Sequence, residues 1–93
     1  MHNPVMGIEY DPKKANSNLM KHGVAFDEAA TALLDPNALA MEDVDCQGEN
    51  RWILIGMSDR GRLLTVVYTL RGNDHVRLIS ARKSTRKEGD CYA

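Results

Sequence analysis

Residues 51–82 read RWILIGMS-DRG-RLLTVVYTL-RGND-HVRLISAR, and this stretch decides the fold. It divides into three strand-length runs, 51–58, 62–70 and 75–82, rich in apolar and β-branched residues. Asp59-Arg60-Gly61 joins the first two, and Arg71-Gly72-Asn73-Asp74 joins the others. Connections this short, each carrying glycine, suit antiparallel hairpins. A chain of 93 residues has room for one modest core. The remaining elements must therefore pack on this meander.

Working outward, residues 6–10 alternate as a short strand. Asp11-Pro12 then opens a helix, with Asp as the cap and Pro preset for the first turn. The helix is expected to run to about His22 and to stop at Gly23. Ala15, Leu19 and His22 mark its expected inward stripe, with Lys14, Asn18 and Lys21 on an adjacent polar stripe. A second helix is predicted over 26–34 from the spacing of Phe26, Ala29, Ala30 and Leu33. Ala25 is a poor cap, so this helix depends on packing. Asp35-Pro36 ends it. Residues 38–42 are expected as a strand that runs into an acidic loop at 42–49, and residues 84–92 as a short basic helix that Gly89 weakens. The order is strand, helix, helix, four-strand meander and terminal helix. It predicts an α+β fold: a two-layer sandwich with two N-terminal helices on a mainly antiparallel sheet. Residues 1–93 form one domain, with 1–5 as a tail.

The content of 43% hydrophobic and 27% charged residues is that of a globular chain and excludes a disordered one. No apolar run approaches the roughly 20 residues of a membrane helix, and the first residues lack the pattern of a secretory signal. A cytoplasmic location with no membrane partner is the expectation. Cys46 and Cys91 sit far apart in polar surroundings, and neither they nor His2, His22 and His75 show metal-ligand spacing, so no metal and no cofactor is expected. The net charge of −1 is unevenly distributed. Residues 1–50 hold three basic and nine acidic side chains, whereas residues 51–93 hold nine and four. Arginine outnumbers lysine in the second half, which suits planar recognition of phosphate. A solvated charged surface gives the same composition.

Strict alternation in the last strand puts Ile79 and Ala81 beneath the helices, Ser80 and Arg82 on the open sheet face, and Arg77 at the margin. In the strand before it, Leu64, Val66 and Tyr68 share one face, and alternation does not fix which face is inside. An arginine-rich open face with Tyr68 or Trp52 as a stacking ring fits single-stranded RNA. RNA needs no metal for cleavage: a base takes the 2′-OH proton, the oxygen attacks the adjacent phosphate, and cations stabilise the phosphorane. Structural readings compete at each position. His22 before a helix stop suits a side chain bonded to a carbonyl, Lys21 a last-turn cation, and Glu49 with Arg51 a surface ion pair. Gly56-Met57-Ser58 has no strand-to-helix turn after it and is not a nucleophile elbow.

Three clusters in order carry a resemblance. They are residues 11–29, DPKKANSNLMKHGVAFDEA; Arg51 with residues 55–64, IGMSDRGRLL, and Val67-Tyr68; and residues 77–88, RLISARKSTRKE, with Tyr92. Together they resemble the BrnT toxin family, from Ile8 onward. The resemblance implies a RelE-like fold and the toxin half of a type II toxin–antitoxin system. It further implies a metal-independent endoribonuclease that inhibits translation and is neutralised by a BrnA-type antitoxin. Contact with operator DNA would come only through the antitoxin, and a homodimer within the complex is allowed. Carried over by position, Arg82 and Arg62 are expected as phosphate or transition-state ligands. His22, Lys21 or Glu49 would transfer the proton, and Arg51, Tyr68, Arg77 and Ser80 would bind RNA. The alternative is a non-catalytic module of the same fold that binds nucleic acid or the antitoxin.

Overall fold

The computed structural model describes residues 7–43, 50–72 and 74–92. Along these residues the elements are β1 (Gly7–Glu9), α1 (Pro12–His22), α2 (Phe26–Ala32), β2 (Leu39–Asp43), β3 (Arg51–Met57), β4 (Leu63–Arg71), β5 (His75–Lys83) and α3 (Arg86–Cys91). The five strands form one mixed sheet in the order β1-β5-β4-β3-β2. The meander β2 to β5 is antiparallel throughout, and β1 adds in parallel to the edge of β5. The α+β class follows, and the expected 1–5 tail lies outside the described residues.

Local chemistry fixes the helix ends. The Asp11 carboxylate accepts the Lys13 N–H at 2.9 Å. Gly23 closes α1 in the left-handed region at φ 71, where a side chain would be strained. Ala25 supplies no side-chain cap to α2, which is held by burial of Phe26, Ala29 and Ala32. That helix ends two residues earlier than its spacing suggests. Asp35 turns the chain instead, its carboxylate accepting the N–H groups of Asn37 and, from β3, Met57. Gly56 lets the last residue of α2 rest directly on β3, since a Cβ there would stand 2.6 Å from the Ala32 carbonyl oxygen.

The core lies between α1, α2 and one face of the sheet, formed by Val24, Phe26, Ala29 and Ala32 above Leu54, Leu64, Val66, Tyr68, Val76, Leu78 and Ala81. Two expectations are corrected here. Strict alternation in β5 put Val76 and Leu78 with Ser80 and Arg82, and Ile79 beneath the helices. Val67 pairs with Ser80 but Tyr68 pairs with Leu78, so Ile79 is the extra residue of a β-bulge. The bulge resets the phase, and Val76, Leu78 and Ala81 all reach the core. The second correction concerns α1. Leu19, expected inward, is 48% exposed, while Asn18 is the buried residue of the helix at 6%.

The reason lies at the sheet edge. β1 pairs with β5 only through Arg77, so the rest of β5 lacks a strand on that side. Asn18 takes its place: its Nδ2 donates to the Ala81 carbonyl at 2.8 Å, and its Oδ1 accepts the Ala81 N–H at 3.0 Å. Nδ2 also donates to the Val24 carbonyl at 2.9 Å, which ties the turn after α1 to the same point. Asn18→Ala leaves one buried donor and two buried acceptors without partners. It is expected to destabilise the fold by about 3 kcal/mol, read as a lower urea midpoint at unchanged slope.

Candidate functional site

Docking α1 along the edge of β5 creates a cleft. It is lined by Lys14, Ser17, Asn18, Lys21 and His22 from the helix and by Ile79 and Ser80 from the bulge. Three residues singled out in the sequence, Lys21, His22 and Ser80, are thereby brought together. The helical repeat puts Lys14, Ser17 and Lys21 on one stripe, and Ser80 meets them beside the bulge. Among the described residues, the side chains of Lys14, Lys21, His22 and Ser80 have no hydrogen-bond or ion-pair partner. The competing reading of His22 as a side chain bonded to a carbonyl is therefore not met. Among the described residues, the lining contains basic and hydroxyl groups and no carboxylate.

Arg82 follows Ser80 by two residues on the same strand, a step of about 6.6 Å. Its guanidinium grips Glu88 of α3 with two bonds, 2.8 Å to Oε1 and 2.7 Å to Oε2. Glu88 also accepts the Thr85 N–H and the Thr65 hydroxyl. This fixes α3 over the sheet face opposite α1 and α2, and Tyr92 hooks the chain end to Asp35.

Arg62 and Arg82, both expected as phosphate or transition-state ligands, lie on opposite sides of the sheet. Arg62 lies on the helix side, where its Nε donates to Glu28 Oε2 at 2.9 Å, a second nitrogen pairs with Oε1, and the Gly23 carbonyl accepts at 3.3 Å. β4 alternation decides this, because Arg62 shares the face of Leu64 and Val66, whereas Arg82 lies opposite Ala81. Tyr68 and Trp52 pair with each other on the core side, and Tyr68 is only 9% exposed, so neither ring lies on the open face for base stacking. Burial accordingly raises the Tyr68 hydroxyl above its ordinary pKa. Arg51 and Arg77 do share a cross-strand row, on either side of Thr69, and Arg77 approaches Glu9 at 3.9 Å. Glu49, the third candidate for proton transfer, lies outside the described residues.

The two acidic partners, Glu28 and Glu88, were not singled out in the sequence. Glu88 had a readable signal, since Thr85-x-x-Glu88 is a capping box, and both of its bonds are made. Glu28 had none, because its Arg62 and Ser58 partners come from a distant hairpin. The paired arginine is the main cause that holds each carboxyl down to about 2 from an ordinary 4.5. The unfolded chain thus takes up protons near pH 4.5, whereas the folded chain resists until about 2. Stability is expected to be fully present above the unfolded value and to fall as pH drops through that window. Thermal melts between pH 6 and 2 check this, and Glu28→Gln should flatten the decline.

The family described as "Ribonuclease toxin, BrnT, of type II toxin-antitoxin system" matches residues 10–88. Among solved structures, the ribonuclease toxin BrnT of Brucella abortus superposes with a TM-score of 0.68 at 23% identity, covering 88% of this chain and 100% of that one. No curated protein sequence matches. No helix among the described residues is long and apolar enough to cross a membrane.

Proposed function

The chain belongs to the BrnT family of ribonuclease toxins of type II toxin–antitoxin systems, and from that premise we propose that it cuts single-stranded or translated RNA without a metal. The observation that carries this reading is the cleft that gathers Lys21, His22 and Ser80, whose side chains have no partner among the described residues. In this proposal His22 takes the proton of a ribose 2′-OH. The freed oxygen attacks the adjacent phosphorus, the bond to the 5′-oxygen breaks, and that oxygen takes a proton from water, to which His22 then returns its own. The products are a 2′,3′-cyclic phosphate and a 5′-hydroxyl. Lys21 and Arg82 stabilise the charge that builds on the phosphorane, and Ser80 donates to a phosphate oxygen. Arg62 positions rather than reacts: it binds the carbonyl of Gly23, next to His22, and is braced by buried Glu28. Arg51 and Arg77 hold more distant phosphates on the open face.

The wider reading is part of the same proposal. RNA cutting inhibits translation in the cytoplasm, and a BrnA-type antitoxin covers the toxin and links it to operator DNA. Residues 1–93 act as one RelE-like domain, with a homodimer formed inside the complex. End-labelled RNA incubated with the purified chain and excess chelator tests the central claim. Cleavage should persist in chelator, give cyclic-phosphate ends, and stop at a position carrying a 2′-deoxy sugar. Steeply salt-dependent binding with intact RNA would instead support a non-catalytic module.

A further inference from the structure

The mechanism uses only one end of the α1–β5 cleft. Lys14 and Ser17 line the other end and have no part in the chemistry at His22. Lys14, Ser17 and Lys21 stand at i, i+3 and i+7 on one helix face, so Lys14 lies about 10 Å along the axis from Lys21. A stacked strand advances at least about 3.4 Å per nucleotide, so this distance spans about two or three nucleotide steps. The wall is stiff as well. Asn18 lies between the two lysines, and its amide is fully committed to Val24 and Ala81, so it holds the helix at a fixed height above β5.

From this geometry we infer that Lys14 and Ser17 form a second phosphate subsite. The cleft then takes a run of at least three nucleotides of single-stranded RNA, with the reacting phosphate at His22 and a neighbouring one at Lys14. This inference rests on the ribonuclease reading and names its substrate more closely. Lys14 carries a cation with no ion-pair partner among the described residues, and Ser17 offers a hydroxyl donor one turn along. An acidic peptide would supply negative charge too, but without the regular spacing that a two-turn track of donors matches.

The test uses the full chain with fluorescent 2′-O-methyl oligonucleotides of two, four and eight nucleotides, which cannot be cut through the 2′-oxygen. Binding is measured across a salt series, in parallel with cleavage of ordinary RNA. Wild-type affinity should rise about tenfold or more between two and four nucleotides. Lys14→Ala should remove most of that gain and reduce the log–log salt slope by about 0.7. Ser17→Ala should remove part of the gain without changing the slope. Lys13→Ala, on the same turn but outside the cleft, serves as the control and should leave both unchanged. All of these positions are exposed on α1, so melting curves should stay close to wild type. Identical behaviour of Lys14→Ala and Lys13→Ala would overturn the inference, as would equal competition by an oligoglutamate of the same charge. The expected binding pattern with no cleavage would sink the ribonuclease reading and keep the subsite. Cleavage with Lys14→Ala at wild-type affinity would do the reverse.

Discussion

His22→Ala is expected to slow RNA cleavage by about 10²–10⁴-fold, the contribution usual for a positioned general base, while the fold survives. His22 ends α1, half-buried in the cleft, and Gly23 then turns the chain away at φ 71. The turn is set by the backbone and by Asn18, not by the imidazole. Because the ring has no hydrogen-bond partner among the described residues, its removal orphans no buried group. A purely structural histidine would show the opposite pattern, a lower melting point with residual activity. Single-turnover measurements with protein in excess separate the chemical step from binding, and added imidazole should restore part of the rate in the vacated space. A variant within threefold of wild type would mean that another group moves the proton.

Much of this arrangement was legible in the sequence because it is written locally. Asp11-Pro12 and Gly23 bound α1 by their own backbone preferences, and the two glycine-bearing connections define the meander. Other features depend on distant partners. Nothing near Asn18 marks it as a mimic of a missing strand, because the need arises from the shortness of β1, which leaves β5 bare past Arg77. The bulge at Ile79 is equally hidden, since one inserted residue leaves the apolar content of β5 unchanged while shifting Val76 and Leu78 into the core. Lys21, His22 and Ser80 were readable as candidates, but their meeting requires the Asn18 dock, which lays α1 along the edge of β5. The separation of Arg62 from Arg82 follows from the opposite phase of β4 and from two carboxylates whose partners lie 34 and 6 residues away in sequence.

Arg82→Ala is expected to reduce cleavage by about 10²-fold or more, the usual loss of a transition-state donor, and comparison with Glu88→Ala tells what the arginine does. The pair can act in two ways. As a latch, Arg82 exists to hold Glu88, and thereby α3, against Thr65 and Ser84. Removal of either partner then gives the same loss, and the double variant adds nothing. As a reacting cation, Arg82 uses Glu88 to fix its fork and offers a phosphate the N–H groups not engaged by Glu88 or the Lys83 carbonyl. Glu88→Ala then loosens α3 and slows cleavage several-fold, far less than Arg82→Ala. Arg82→Lys should recover little, because a point charge does not reproduce a planar fork. The second pattern is the one expected, since the two bonds from Arg82 to Glu88 keep the guanidinium in one orientation. Equal losses in both single variants and in the double would assign Arg82 to the latch and leave Lys21 as the cation at the phosphorane.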